Sequence, residues 1–161
     1  MLMTRENQVT LLETLSAMPE LLESAFSGLS STDARLEGPD GLSPVEQCWH
    51  LADLEREGYA TRIRRLLAED EPVLPDFDGG RIARERDYKS LSLGEGIDAF
   101  RRARAENVAI LRRLSADEWQ RRGTQDGVGR IGLCDVPTMM AEHDAAHRGE
   151  IDAWVERYMK R

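Results

Sequence analysis

The chain has 161 residues, 40% of them hydrophobic and 32% charged, with a formal net charge of −8. This length fits one globular domain, expected to span residues 1–161, with enough chain to bury a core without cross-links. The acid excess excludes the basic surface that phosphate recognition needs, so no nucleic-acid partner is expected. No apolar run approaches the roughly 20 residues of a membrane span. The start, MLMTRENQVT, lacks the apolar stretch of a signal peptide. A cytoplasmic protein with no membrane partner is therefore expected.

Strand signals are nearly absent and helical periodicity dominates. From about Thr4 to Leu29, residues Leu11, Leu15, Met18, Leu22 and Phe26 recur every three or four positions as one apolar stripe. Pro19 falls inside it and predicts a kink or a break. After the connector LEGPDG, Ser43 and Glu46 form a capping box with Pro44 at the first helical position. That helix is expected to run to about Ala68. Cys48 lies in its apolar part and reads as a buried thiol, one of two cysteines, too few for a disulfide framework. Arg62, Arg64 and Arg65 read as its solvated side. Residues 69–80, EDEPVLPDFDGG, predict a long surface loop, with a short helix around Ile82 to Tyr88.

A third main helix is expected from Ser92, capped with Glu95 and carrying Ile97, Phe100, Leu111 and Leu114. Arg104 falls on or near that stripe, and its apolar stem is expected to cross the core with its head in water. SADEWQRR, 115–122, reads as a short capped helix and GTQDGVGRIG, 123–132, as a glycine-rich loop. Cys134 stands just before the last helix, which Asp135 and Pro137 open and which runs to about Met159. Its stripe is Val136, Met140, His143, His147, Ile151, Trp154 and Tyr158. Four long helices with two longer crossover connections predict an all-α four-helix bundle.

The chain has three histidines. His143 and His147, four apart, stand one turn above each other on the apolar face of the last helix. They can converge on one ion or serve as two hydrogen-bonded core residues. His50, near the start of the second helix, supplies a third imidazole if the two helices pack together. Three protein ligands plus an open position is the usual make-up of a catalytic zinc site. Glu46 and Asp53 are one turn either side of His50, Asp144 adjoins His143, and Glu150 is one turn beyond His147. Each can orient a ligand ring, and each can equally be a solvated helix charge. The pattern H-E-x-x-H of zincins is not met, since Asp144 stands at its second position.

GLSPVEQCWHLADLE resembles the second helix of the DinB/YfiT-like metalloproteins, W-S-x-x-E-x-x-x-H-L-x-D-x-E. EHDAAHRGEI resembles their last helix, H-x-x-x-H followed by R-G-Q-I, and Arg104 matches their third-helix arginine. The resemblance implies a four-helix bundle, commonly a homodimer. It also implies a divalent metal, often zinc or nickel, on His50, His143 and His147. Leu42 departs from the family's tryptophan, and Glu150 from its glutamine, where a carboxylate adds negative charge near the metal. Relatives include S-transferases and isomerases that use bacillithiol or mycothiol, and hydrolases. The expectation is a metalloenzyme that transfers a low-molecular-weight thiol to a small-molecule substrate. The alternatives are a metal-dependent hydrolase, in which Asp53 or Glu150 relays the proton, and a non-catalytic metal-binding or interaction protein. In the last case Cys134 or Glu150 would close the site as a fourth ligand.

Overall fold

The computed structural model describes residues 4–160. The ends of the expected domain, 1–3 and 161, lie outside the described residues, as do the first three residues of the start segment. The long helices are α1 (Arg5–Phe26), α2 (Pro44–Asp53) continued by α3 (Ala60–Ala68), α5 (Leu93–Arg112) and α7 (Val136–Tyr158). Shorter pieces are α4 (Gly79–Glu85) and α6 (Ala116–Trp119). None of these helices is long and apolar enough to cross a membrane. α1 packs on α5 and α7, and α2 packs on α5. The expected four-helix bundle is the observed architecture.

The predicted caps are where the helices start. Ser43 and Glu46 exchange both hydrogen bonds of the capping box, Ser92 receives the Glu95 N–H, and Ser115 with Glu118 caps α6. Each satisfies amide donors that a helix start leaves unpaired. Of the two outcomes expected at Pro19, a kink or a break, the break does not occur: α1 is one helix through Pro19. Proline there removes the amide that would bond the Leu15 carbonyl. That carbonyl instead accepts a hydrogen bond from Arg104 Nη1 at 2.9 Å.

Between α2 and α3, residues Leu54–Tyr59 form a π-helical turn. The Ala60 N–H reaches back five residues to the Glu55 carbonyl, which also accepts from Asn107 Nδ2 at 3.1 Å. Such widened turns concentrate at functional sites.

The glycine-rich segment expected as a loop forms a hairpin. β2 (Arg122–Gln125) pairs antiparallel with β3 (Gly129–Gly132), and β1 (Val73–Leu74) adds to β2 in parallel. The strands carry no alternating apolar pattern, which is why the sequence hides them. They are two to four residues long and held mainly by backbone bonds, such as Thr124 N–H to the Pro72 carbonyl at 2.9 Å. Gly123 is required by closeness: a Cβ there would stand 2.6 Å from the Pro72 carbonyl oxygen. The sheet ties the two long connections together beside α3.

The core is divided. One apolar cluster holds Leu12, Leu15, Tyr59, Ile63, Leu111, Val136 and Met140. The other holds Met18, Leu22, Phe26, Cys48, Leu51, Phe100, Ile151 and Trp154. The switch from one cluster to the other falls at a polar level: the Leu15 carbonyl on α1, Asp53 at the end of α2, Arg104 and Asn107 on α5, Asp144 and His147 on α7. Cys48 lies fully inside the second cluster, where burial raises its thiol pKa and keeps it protonated.

Candidate metal centre

The three histidines meet at that polar level. His143 Nε2 stands 3.3 Å from His50 Nε2 and 3.1 Å from His147 Nε2, and the three donor atoms lie within 4.8 Å of one another. Ligands about 2.0–2.1 Å from a tetrahedral zinc stand about 3.3 Å apart, which is the spacing of the two pairs that His143 Nε2 makes. His143 can direct a proton from Nε2 at only one neighbour well, whereas a cation takes all three lone pairs. His147 is buried, while His50 and His143 are half-buried, so part of the cluster remains accessible to solvent.

His147 has its tautomer set from behind. Its Nδ1 is 2.6 Å from Gln47 Oε1 and 3.0 Å from Glu150 Oε2, both acceptors. Nδ1 therefore carries the proton and Nε2 keeps its lone pair for the shared point. Gln47 Nε2 in turn donates to Glu150 Oε2 at 2.7 Å and to Asp40 Oδ2 at 3.3 Å. Glu150 thus stands on the Nδ1 side, away from the point of convergence. Gln47 was missed by a search confined to carboxylates, although its place one turn before His50 is the signal that finds it. His50 is backed by Gly79, where a Cβ would come within 3.0 Å of its ring. Phe77 adds a tilted ring 6.4 Å away.

The remaining predicted carboxylates do different work. Glu46 commits its carboxylate to the Ser43 backbone and hydroxyl in the capping box. Asp53 is fully buried and held by the Tyr88 hydroxyl, Arg56 and Arg86. Burial pushes its carboxyl up, but these three partners outweigh that and hold it below its ordinary value. It is not free to relay a proton, in contrast to the sequence expectation. Asp144 turns from the histidines to Arg104, accepting from Nη1 at 2.7 Å and Nη2 at 2.9 Å. Cys134 is half-buried and is not among the clustered donors.

Arg104 does not reach water. It is 1% exposed, with Nε and Nη2 at 3.0 and 2.6 Å from Glu55 Oε1 and with Asp144 on the other side. Burial works against its charge, but the two carboxylates more than offset it and raise its pKa. Its stem crosses the core as expected. Its head stays inside because Glu55 and Asp144 supply the countercharge that solvent would have supplied.

His50 and His143 are pushed down to about 4 and about 3, first by burial and then by the neighbouring imidazoles. Neutral rings at neutral pH are what a metal needs. In the metal-free protein these lowered values tie stability to pH. The unfolded chain titrates near 6.5, so between about 6.5 and 4 it binds more protons than the folded one. Stability is intact above pH 6.5 and falls as the pH drops through that window. Urea midpoints of chelator-treated protein at pH 7 and 4.5 measure the fall, and His143→Gln should make it shallower. An equal fall in the variant would show that other groups carry it.

YfiT from Bacillus subtilis, described as a probable metal-dependent hydrolase with an unusual four-helix bundle topology, superposes with a TM-score of 0.87. It is 19% identical, with 96% of this chain and 89% of that chain covered. No curated protein matches. The family model of the DinB superfamily matches residues 14–151, which takes in all three histidines, Gln47, Arg104 and Glu150. The chain belongs to the DinB superfamily.

Proposed function

We propose that this chain is a divalent-metal-dependent enzyme whose ligands are His50, His143 and His147. The clustering of three imidazoles, two of them partly accessible to solvent, carries this reading. Zinc and nickel suit three imidazoles. When bound, such an ion acts as a Lewis acid that lowers the pKa of a water or thiol in its open position. Gln47 and Glu150 hold the His147 ring in its ligating tautomer. Gly79 and Phe77 bound the His50 side.

Between the two chemistries, transfer of a low-molecular-weight thiol is favoured because the four carboxylates nearest the histidines in sequence, among the described residues, have other partners. Asp53, Asp144, Glu46 and Glu150 are all engaged by other side chains or by the backbone. A thiol with a pKa near 8.5 needs far less help to ionise than water, near 15.7. The sulfur then attacks an electrophilic carbon, the leaving group departs with its bonding pair, and the thiol proton goes to solvent. Hydrolysis is the second reading, supported by the likeness to YfiT. Assays on zinc- and nickel-loaded protein separate them: consumption of an aryl halide with and without cysteine, bacillithiol or mycothiol, and cleavage of 4-nitrophenyl acetate without thiol. Metal-dependent ester cleavage with no thiol-dependent turnover would replace transfer by hydrolysis. Assembly as a homodimer belongs to the same proposal, and sedimentation at micromolar concentration reads it directly.

A further inference from the structure

The described residues include two buried arginines, Arg62 at 8% exposure and Arg104 at 1%. Arg104 holds two carboxylates and a carbonyl. Arg62, which the sequence placed on a solvated face, has no ion-pair partner among the described residues, and its buried Nε has no hydrogen-bond partner. Supply is not the reason, since the chain has 30 acids to 22 lysines and arginines. An arginine buried this far, with Nε closed off and no carboxylate beside it, calls for an explanation.

Its position supplies one. The Arg62 guanidinium lies over the Tyr59 ring, 5.2 Å from the centroid. Tyr59 stands edge-on to His143 at 6.4 Å between ring centroids. The charge of Arg62 is also felt at His143, where it helps to disfavour the imidazolium. Burial pushes the Tyr59 hydroxyl up to about 12, so it remains a donor. A phenol therefore stands beside the three-histidine cluster, with a guanidinium that has no ion-pair partner stacked on its ring.

We infer that Arg62, with Tyr59 beside it, anchors a carboxylate of the small-molecule substrate that reacts at the three-histidine centre. The placement rests on the metalloenzyme reading above; the carboxylate contact itself does not. A carboxylate can meet the outer Nη1 and Nη2 edge of the guanidinium, the edge not closed off with Nε, by two parallel hydrogen bonds and brings the missing charge. A neutral analogue of the same shape leaves the guanidinium unpaired and is rejected.

The test uses benzoate as the probe, titrated into zinc-loaded protein by calorimetry, with benzamide and inorganic phosphate as comparisons. Benzoate should bind and benzamide should not. Arg62→Gln should weaken benzoate at least about tenfold at unchanged zinc content, because a charged bidentate pair is lost. Arg62→Lys, which keeps the charge without the fork, guards against a folding defect and should weaken it about fivefold or less. Unchanged benzoate affinity in both variants, or no binding to the parent protein, overturns the inference. Phosphate binding through Arg62 without benzoate binding overturns the choice of carboxylate. If no zinc is taken up, the metal reading fails, while the same titrations on metal-free protein still decide whether Arg62 receives a carboxylate.

Discussion

Replacing Arg104 with methionine is expected to lower the unfolding free energy by about 3–5 kcal/mol, the scale for breaking a buried ion pair from one side. The substitution conserves much of the volume but strands Glu55 and Asp144, which are 1% and 8% exposed. It also orphans the Leu15 carbonyl, already without its helix amide because of Pro19. Typical domains have about 5–15 kcal/mol in total, so a large share of the stability is at stake. Urea denaturation with a common slope measures it. Adding Glu55→Gln and Asp144→Asn to Arg104→Met should recover part of the loss, since it removes the unpaired charges rather than a contact. A loss below about 1 kcal/mol for the single variant would place the network in the exposed, weakly coupled class.

Elemental analysis of the purified protein is expected to find roughly one divalent ion per chain, because three ligands converge on one point. His147→Ala should lose most of it, and a variant that keeps its full metal content would refute the ligand assignment. Gln47→Leu leaves all three ligands but removes the nearer of the two acceptors that fix the His147 tautomer, and should weaken metal binding toward the lower end of about 10–100-fold. The loaded parent should melt above its chelator-treated form, since binding to the folded state alone stabilises by mass action.

The helices were legible because their signals are local. Ser43–Glu46, Ser92–Glu95 and Ser115–Glu118 each announce a start within four residues. The apolar stripes, with His143 and His147 set into one of them, announce a face. The histidine cluster was legible as a candidate because three rings lay on buried stretches of two helices. What stayed hidden depends on contacts between distant segments. The role of Asp53 is decided by Tyr88 and Arg86, which come from a connection with no predictable path. The head of Arg104 stays inside because of partners 40 and 49 residues away. The hairpin was hidden because backbone pairing, not side-chain pattern, makes it. Arg62 is the instructive case. Its spacing of three from Tyr59 and four from Leu66 places it on the buried stripe, yet the run of arginines reads as a wet surface.

Pro19 also has a consequence for register. The α1 stripe of Leu12, Leu15, Met18 and Leu22 repeats so regularly that a slide of about 5.4 Å, one helical turn, would still set leucine against apolar neighbours. Greasy contacts discriminate poorly between such alignments. The bare Leu15 carbonyl does not repeat, and only one alignment brings it to the Arg104 guanidinium. A residue that weakens the helix as a helix thus makes it an asymmetric key, fixing where α1 stops along the bundle and, through Arg104 and Asp144, the height at which the last helix presents its histidines.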